Sequence, residues 1–210
     1  MSHIKNLFNR NRACSVVILI TIVSALILFI FPPRINVTMP TAQSQIVPAK
    51  IMEPDTVYSQ KFTSQVESLK RIEIHFATYE IKNTAGSINI QLKSEKGKII
   101  ADKTIPLTEL SDNTIYQLKF DELPDSKNTD YELLIKYEDY QEGNSLCFFT
   151  AEGGTPYTEN DQQSSNHSIV MDEVGKVRDY SFVWWALLFI ATSVAIIAVT
   201  PAQAKKGQRQ

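Results

Sequence analysis

Polar and aromatic residues share one face of a predicted strand near the middle of the chain. In the stretch RIEIHFATY, Arg71, Glu73, His75 and Tyr79 alternate with apolar residues. Alternate side chains of a β-strand point to opposite faces of the sheet. A flat ring packs on the apolar face of a sugar, while polar neighbours bond to its hydroxyls. We therefore expect Arg71, His75 and Tyr79 to form a ligand-binding face for a glycan.

A second arrangement is open for the last of these residues. A bulge near Ala77 and Thr78 would shift the alternation, so that Tyr79 turns inward and packs in the core. Ile81 has the same parity as Tyr79, which favours that alternative. The sequence therefore leaves two hypotheses for Tyr79, a binding residue or a core residue.

Residues suited to catalysis are scarce. His75 is the one histidine inside the predicted folded region, and Cys147 is the one cysteine there. Cys147 lies in the apolar run SLCFF, where a buried thiol is the usual arrangement. A G-x-S-x-G motif is also missing from the sequence. We expect no catalytic residues and no enzyme activity.

An acidic group near residues 121–130 offers ligands for a calcium ion, because oxygen-rich loops bind this ion. Its members are Asp121, Glu122, Asp125 and Asp130. A solvated loop between two strands is the favoured explanation, and the sequence has none of the zinc or EF-hand spacings. We expect neither a metal ion nor a cofactor.

The elements that would position these residues are strands. Seven stretches alternate between apolar and polar residues: 57–63, 69–81, 87–94, 98–105, 114–121, 130–138 and 145–150. Clusters of turn-forming residues separate them, for example Asn83–Gly86. Many short strands with turns every 8–12 residues predict a mainly β protein, with a jelly-roll-like β-sandwich over residues 57–150.

The predicted sandwich is flanked by segments without a sustained period. Residues 32–56 contain several prolines, and residues 151–181 begin with a stretch rich in Gly, Ser, Asn and Gln. Such composition buries little apolar surface. We expect a spacer at 32–56 and a flexible spacer at 151–181.

Two uncharged apolar segments, 13–31 and 182–200, lie outside the spacers. Their outer flanks, 1–12 and 201–210, carry six Lys and Arg residues and no acid, whereas the middle carries all 23 acids. This asymmetry predicts two transmembrane helices in the lipid bilayer of the plasma membrane, both termini cytoplasmic and the central domain extracytoplasmic. A cleaved signal peptide is the alternative for the first segment. The acidic middle argues against nucleic acid as a partner.

Four loose motifs resemble those of a known group of domains. They are a Leu-x-x-Ile strand ending in Phe-Ala-Thr-Tyr (69–79), an Asn-x-x-Gly turn (83–86), Leu-Ser-Asp-Asn (110–113) and Asp-Ser…Tyr (125–131). Together they resemble the extracytoplasmic β-sandwich of bacterial multi-pass envelope proteins, some of them glycosyltransferase-like. Those proteins continue into a multi-helix body that carries the active site, and this sequence resembles the sandwich without that body.

The resemblance implies a non-catalytic accessory of bacterial cell-envelope or surface-polysaccharide assembly. The implied partner is an envelope glycan or a multi-pass membrane protein. Two alternatives stay open: a structural scaffold subunit of a membrane complex, and an envelope enzyme with an unrecognised site.

Overall fold

The computed structural model describes residues 12–41, 46–163 and 166–199. The chain divides into two compact units, residues 1–35 with 178–210, and residues 36–177. The predicted N-terminal segment, apart from Arg12, and the predicted basic tail 201–210 lie outside the described residues.

The first unit contains two helices, α1 (Arg12–Ile30) and α2 (Ser181–Val199). The Asp179 carboxylate accepts the backbone N–H of Ser181 at 2.8 Å, which is the usual cap for the first turn of a helix. Near the C-terminal end of α1, the ring of Phe29 lies 6.3 Å from that of Tyr180, the residue just before α2. The two helices therefore pack on each other within this unit.

Neither helix meets the requirements of a membrane span. Across the described parts of the chain, no helix combines the length and the apolar character needed to cross a bilayer. The prediction of a two-pass plasma-membrane protein, with spans at 13–31 and 182–200 and an extracytoplasmic middle, is therefore wrong.

The second unit is built from two sheets with antiparallel pairing. The first sheet contains β1 (Arg34–Pro40), β2 (Ile46–Ile51), β4 (Ser68–Ala77), β7 (Thr114–Pro124), β9 (Cys147–Glu152), β12 (His167–Ile169) and β13 (Met171–Arg178). The second contains β3 (Val57–Thr63), β5 (Ser87–Ser94), β6 (Ile99–Pro106), β8 (Asp130–Glu138), β10 (Thr158–Glu159) and β11 (Gln162–Gln163).

The strand order places β4 in the interior of the first sheet. That sheet runs β1-β13-β4-β9-β12, with β7 paired to β4 and β2 paired to β9. The second sheet runs β11-β10-β3-β8-β5-β6. The prediction of a mainly β protein with a two-sheet sandwich is confirmed, and each of the seven predicted strands has a counterpart.

The core lies between the two sheets. Alternate residues of each strand are buried there, as in β5, where Ile88, Ile90 and Leu92 are inaccessible to solvent. A cluster of three rings joins the sheets, because Phe148 lies 5.1 Å from Tyr58 and 5.4 Å from Tyr157. Burying these apolar side chains is the main stabilising contribution to a fold without an internal disulfide.

Both predicted spacers contribute strands, which corrects the sequence-based boundaries. β1 and β2 lie within 32–56, and β10 to β13 lie within 151–181. The end of the second segment packs firmly, since Ile169 and Met171 are buried and β13 pairs with β4 over six positions. The sequence pattern missed them because β10 to β12 have only two or three residues each, and polar residues or glycine interrupt the apolar alternation of the others.

Candidate ligand-binding sites

Strand β4 positions two of the three predicted site residues. Ile72, Ile74 and Phe76 are buried in the core, so Arg71 and His75 point to the opposite, outer face of the first sheet. Both are partly exposed. The predicted alternation of this strand is therefore correct.

Arg71 and His75 have separate partners on that face. Arg71 donates through Nε to Glu73 Oε1 at 2.8 Å, and Glu73 Oε1 also accepts from the Gln117 side chain of β7 at 3.0 Å. His75 Nε2 lies 3.5 Å from Asp172 Oδ2 on β13. The two predicted site residues thus belong to two side-chain groups of one open face.

Tyr79 lies beyond the end of β4, in a tight turn. The backbone N–H of Ile81 donates to Thr78 O at 3.0 Å. The two central residues of this turn, Tyr79 and Glu80, have φ angles of 51° and 63°. Positive φ at both central positions defines a type I′ turn, which Asn and Gly usually occupy.

The side chain of Tyr79 faces solvent. Its exposed fraction is 56 %, and that of Ile81 is 41 %. The hypothesis that Tyr79 packs inward is therefore wrong. No hydrogen bond, ion pair or ring contact within the described part of the chain joins Tyr79 to Arg71 or His75, so the structure does not gather the three predicted residues into one site.

A carboxylate from another loop holds this turn. Asp112 Oδ1 accepts the backbone N–H of Thr78 at 2.7 Å and that of Tyr79 at 2.9 Å. These bonds hold the pKa of Asp112 below its usual range, and the bond from Thr78 is the largest cause. Sequence reasoning missed Asp112 as a site residue, although its Leu-Ser-Asp-Asn turn was part of the resemblance.

The Tyr79 turn borders a pocket of about 560 Å³ at this end of the sandwich. We call it the loop-end pocket; residues 78 and 80–84 line one side of it and residues 108–112 the other. Tyr79 does not line the pocket, but Thr78 and Glu80 on either side of it do. The volume lies within the range of small-molecule sites, about 300–1,000 Å³.

One wall of the loop-end pocket is fixed by buried amides. Asn83 donates to Ser145 O at 2.9 Å and accepts from Ser145 N at 2.8 Å. Beside it, Thr84 N donates to the Asn144 side chain at 2.8 Å. Asn83 and Asn144 are buried, so these bonds tie the loop after β4 to the loop before β9. The pocket wall is therefore pre-organised.

The loop-end pocket combines apolar and polar groups. Ile81 and Leu110 supply apolar surface, while Glu80, Lys82 and Glu109 supply charge. An exposed ring beside such a mixture suits a polyhydroxylated ligand, since sugars present both apolar faces and hydroxyls.

The residues weighed for catalysis and metal binding lie elsewhere. Cys147 is buried, and its burial raises the pKa of the thiol. Of the acidic group, Glu122 accepts from Ser68 and Lys176, and Asp130 accepts from Thr63 at 2.6 Å. Within the described residues, no three acidic, histidine or cysteine side chains cluster as metal ligands would.

Comparisons with known proteins show no family for this chain. No family model matches it, and no curated protein does. Among solved structures, it is similar to the infectious bursal disease virus Gx strain structure at 14 % identity and a TM-score of 0.28, covering 78 % of this chain and 48 % of that one.

A VP2 subviral particle of infectious bursal disease virus matches at 13 % identity and a TM-score of 0.30, over 71 % of this chain and 34 % of that one. This chain therefore spans less than half the length of these viral chains. Similarity at this level carries no argument about function. The class that the structure itself defines is a mainly β, two-sheet sandwich protein, and the resemblance to bacterial envelope domains stays a prediction.

Proposed function

We propose that this protein is a non-catalytic binding module that takes a glycan at the loop-end pocket. The observation that carries the proposal is the Tyr79 turn. A bulky residue is held with a left-handed backbone, its ring is in solvent, and the Asp112 carboxylate fixes its N–H beside a pre-organised pocket.

The strain of this turn supports a binding role for the ring. A non-glycine residue with left-handed backbone costs about 1–2 kcal/mol. Glycine would adopt the same backbone without that cost, and a ring with 56 % of its surface exposed gains little from packing. Strained residues of this kind cluster at ligand sites, where the strain pre-organises a contact.

The chemistry of the pocket supports a sugar as the ligand. Beside the pocket, the exposed Tyr79 ring supplies a flat apolar surface with a hydroxyl at its edge, and Ile81 supplies apolar surface in the pocket lining. The Glu80 and Lys82 side chains supply an acceptor and a donor for hydroxyl groups. A sugar would therefore find stacking and hydrogen bonding together.

The finer fold that we propose is jelly-roll-like. Successive strands change sheets repeatedly: β3 belongs to the second sheet, β4 to the first, β5 and β6 to the second, and β7 to the first. The chain then returns to the second sheet with β8 and to the first with β9. This path supports a jelly-roll-like arrangement over a simple stack of hairpins.

A non-catalytic role is part of the proposal. Burial raises the pKa of the Cys147 thiol, which disfavours the thiolate that a nucleophile needs, and His75 faces Asp172 on the outer face of the first sheet. The resemblance to bacterial envelope domains supports an accessory role in surface-polysaccharide assembly. It also supports envelope glycans as the ligands to test first.

The test is an array of bacterial surface glycans probed with the full chain, followed by titration of the glycan that binds best. We expect Tyr79→Gly to reduce the affinity at least tenfold, because it removes the ring and keeps the backbone of the turn. Asp125→Gly is the matched control. Asp125 also has a positive φ of 55°, but it follows the C-terminal end of β7, whereas Asp112 precedes the N-terminal end.

Two results would overturn the proposal. One is full glycan affinity in Tyr79→Gly. The other is a wild-type chain that binds no glycan on the array. Co-purification with one protein partner, in the absence of glycan binding, would establish the scaffold alternative instead.

A further inference from the structure

Two consecutive basic residues point to the same face of the first sheet. Leu69 and Ile72 are both inaccessible to solvent. The two residues between them, Lys70 and Arg71, each have a side chain that is one third exposed. Regular alternation would place consecutive side chains on opposite faces, so the backbone is irregular here.

A β-bulge produces this arrangement. The register of β4 with β13 shifts between Val174 and Gly175, so that Arg71 pairs with Val174 and Leu69 with Gly175. Gly175 is required at this point, because an added Cβ would overlap the backbone oxygen of Ser68. Bulges re-aim side chains at sites, and this one places Lys70 and Arg71 side by side.

The re-aimed pair lines a cleft of about 360 Å³, which we call the bulge cleft. Its other lining residues are Asn36, Val37 and Thr38 of β1 and Val174 of β13. The amide of Asn36 and the hydroxyl of Thr38 add neutral donors to the two cations. Lys70 also donates to Asn36 Oδ1 at 3.4 Å, and two valines complete the lining.

Positive charge is concentrated next to the bulge cleft. Arg71 pairs directly with Lys119 of β7, and like charges in opposed positions of two strands destabilise a sheet. Lys119 is exposed, with no ion pair described for it. An anion between the two side chains would turn this repulsion into attraction.

Neighbouring carboxylates neutralise only part of this charge. Glu73 engages Arg71 through Nε, which leaves the terminal guanidinium nitrogens as donors. Glu122 lies 3.1 Å from Lys176 and 3.7 Å from Lys70. The cations Lys70, Arg71, Lys119 and Lys176 thus outnumber the nearby carboxylates. These are Glu73, Glu122 and Asp172, which pairs with Glu73 across the two strands and lies beside His75.

We propose that the bulge cleft binds a tetrahedral oxyanion, a phosphate or sulfate group carried by a larger ligand. The forked guanidinium of Arg71 matches two oxygens of such a group, and lysine adds a point charge. This site is separate from the loop-end pocket and does not rest on glycan binding there.

The test is isothermal titration of the full chain with three probes: inorganic pyrophosphate, dextran sulfate and neutral dextran. We expect saturable binding of at least one anionic probe, weakened as salt is added, and none of neutral dextran. A preference for pyrophosphate or for dextran sulfate identifies the group as a phosphate or as a sulfate ester.

Variants locate the site. Arg71→Gln should weaken anion binding at least tenfold, because arginine can contact the anion through two parallel hydrogen bonds. Lys119→Gln should weaken it about threefold, because lysine acts as a single point charge. Lys136→Gln is the control, because Lys136 is an exposed lysine of β8 in the other sheet. An equal loss in Lys136→Gln, or no anion binding by the wild type, would overturn the proposal.

A variant that is expected to bind the anion more tightly distinguishes a binding role of Arg71 from a structural one. Glu73→Gln removes the carboxylate that competes for Arg71, so we expect it to bind the anion several-fold more tightly. If Arg71 only stabilised the sheet, Glu73→Gln would leave anion affinity unchanged or reduced, and the proposal would fail. Because pyrophosphate carries no sugar, and neutral dextran reports any binding of the sugar itself, a failure of anion binding leaves the glycan site in the loop-end pocket untouched.

Discussion

The Asp112 carboxylate accepts the backbone N–H of Tyr79 at 2.9 Å, across a sequence separation of 33 residues. The same oxygen accepts the N–H of Thr78. One side chain of the loop before β7 thereby holds the backbone of the turn after β4, and Thr78 and Glu80 of this turn line the loop-end pocket.

Removal of this carboxylate should loosen the turn. In Asp112→Ala the N–H groups of Thr78 and Tyr79 lose their acceptor, so we expect both amides to exchange with deuterium at least tenfold faster. Hydrogen exchange followed by NMR measures this directly. Asp102→Ala is the control, since Asp102 bonds to the side chains of Asn89 and Gln91; protected Thr78 and Tyr79 amides in Asp112→Ala would contradict the role of Asp112.

The turn should also respond to acid. The pKa of Asp112 is lowered by folding, so its contribution to stability is present above the unfolded pKa and is lost as the pH falls through the folded pKa. Because the folded pKa is lowered, we expect the amide protection of Tyr79 to be lost only at a pH below the usual range of an aspartate, which is about pH 4. The Asp112→Asn variant should lack this step, and an unchanged pH profile in that variant would contradict the assignment.

Glycine at position 79 should make the protein more stable. Tyr79→Gly releases the left-handed strain of a non-glycine residue, which is about 1 kcal/mol or more, although glycine also gains unfolded-state entropy. We expect a small net gain in the free energy of unfolding, up to about 1 kcal/mol, measured by urea denaturation. A clear loss of stability would mean that the exposed ring contributes to folding rather than to binding.

A buried carboxylate should make the fold sensitive to pH in the opposite direction. Glu173 is inaccessible to solvent, and it accepts the N–H of Gln65 at 3.1 Å. Burial raises the pKa of Glu173, while bonds from Ser64 and Gln65 oppose the rise. Stability from this group is therefore complete below the unfolded pKa and is lost as the pH rises through the folded pKa.

Glu173→Gln keeps an acceptor for Gln65 but cannot ionise. We expect a higher urea midpoint than wild type at pH 7, and no difference once the pH is below about 4, the usual range of a glutamate. The exposed Glu95→Gln variant should match wild type at both pH values. A Glu173→Gln midpoint below wild type at pH 7 would show that the ionised form is the stabilising one.

The link between the two sheets offers a test of the core. The Gln60 side chain, 1 % exposed, accepts the backbone N–H of Ile169 and so joins β3 to β12. Gln60→Ala would leave that N–H unpaired beside a cavity, which we expect to cost about 3 kcal/mol of unfolding free energy. The surface variant Gln141→Ala should change it by less than about 0.5 kcal/mol; comparable losses in the two variants would contradict the link.

Much of the fold could be predicted from local pattern, but less of the candidate sites. The alternation of Ile88, Ile90 and Leu92 predicted β5 with its inward face, and that of Ile72, Ile74 and Phe76 predicted the face of β4. Tyr79 was placed on that face by parity, yet the strand ends at Ala77 and the type I′ turn changes the direction of the chain.

The prediction of spacers at 32–56 and 151–181 was wrong for a related reason. β13 carries a buried glutamate and a glycine among its apolar residues, Glu173 and Gly175. Both residues interrupt the alternation expected of a strand. The reason for each residue lies in a contact made by the folded chain. Glu173 accepts the backbone N–H of Gln65, and Gly175 leaves space for the backbone of Ser68.

The sequence by itself determined that this protein is mainly β and which residues of β5 and of the middle of β4 face the core, because a period of two depends only on neighbouring residues. The tertiary structure decided which side chains meet. Asp112 reaches Tyr79, and Lys119 opposes Arg71, only through the register of paired strands. Register depends on contacts between residues far apart in the chain, and no local pattern in the sequence specifies it.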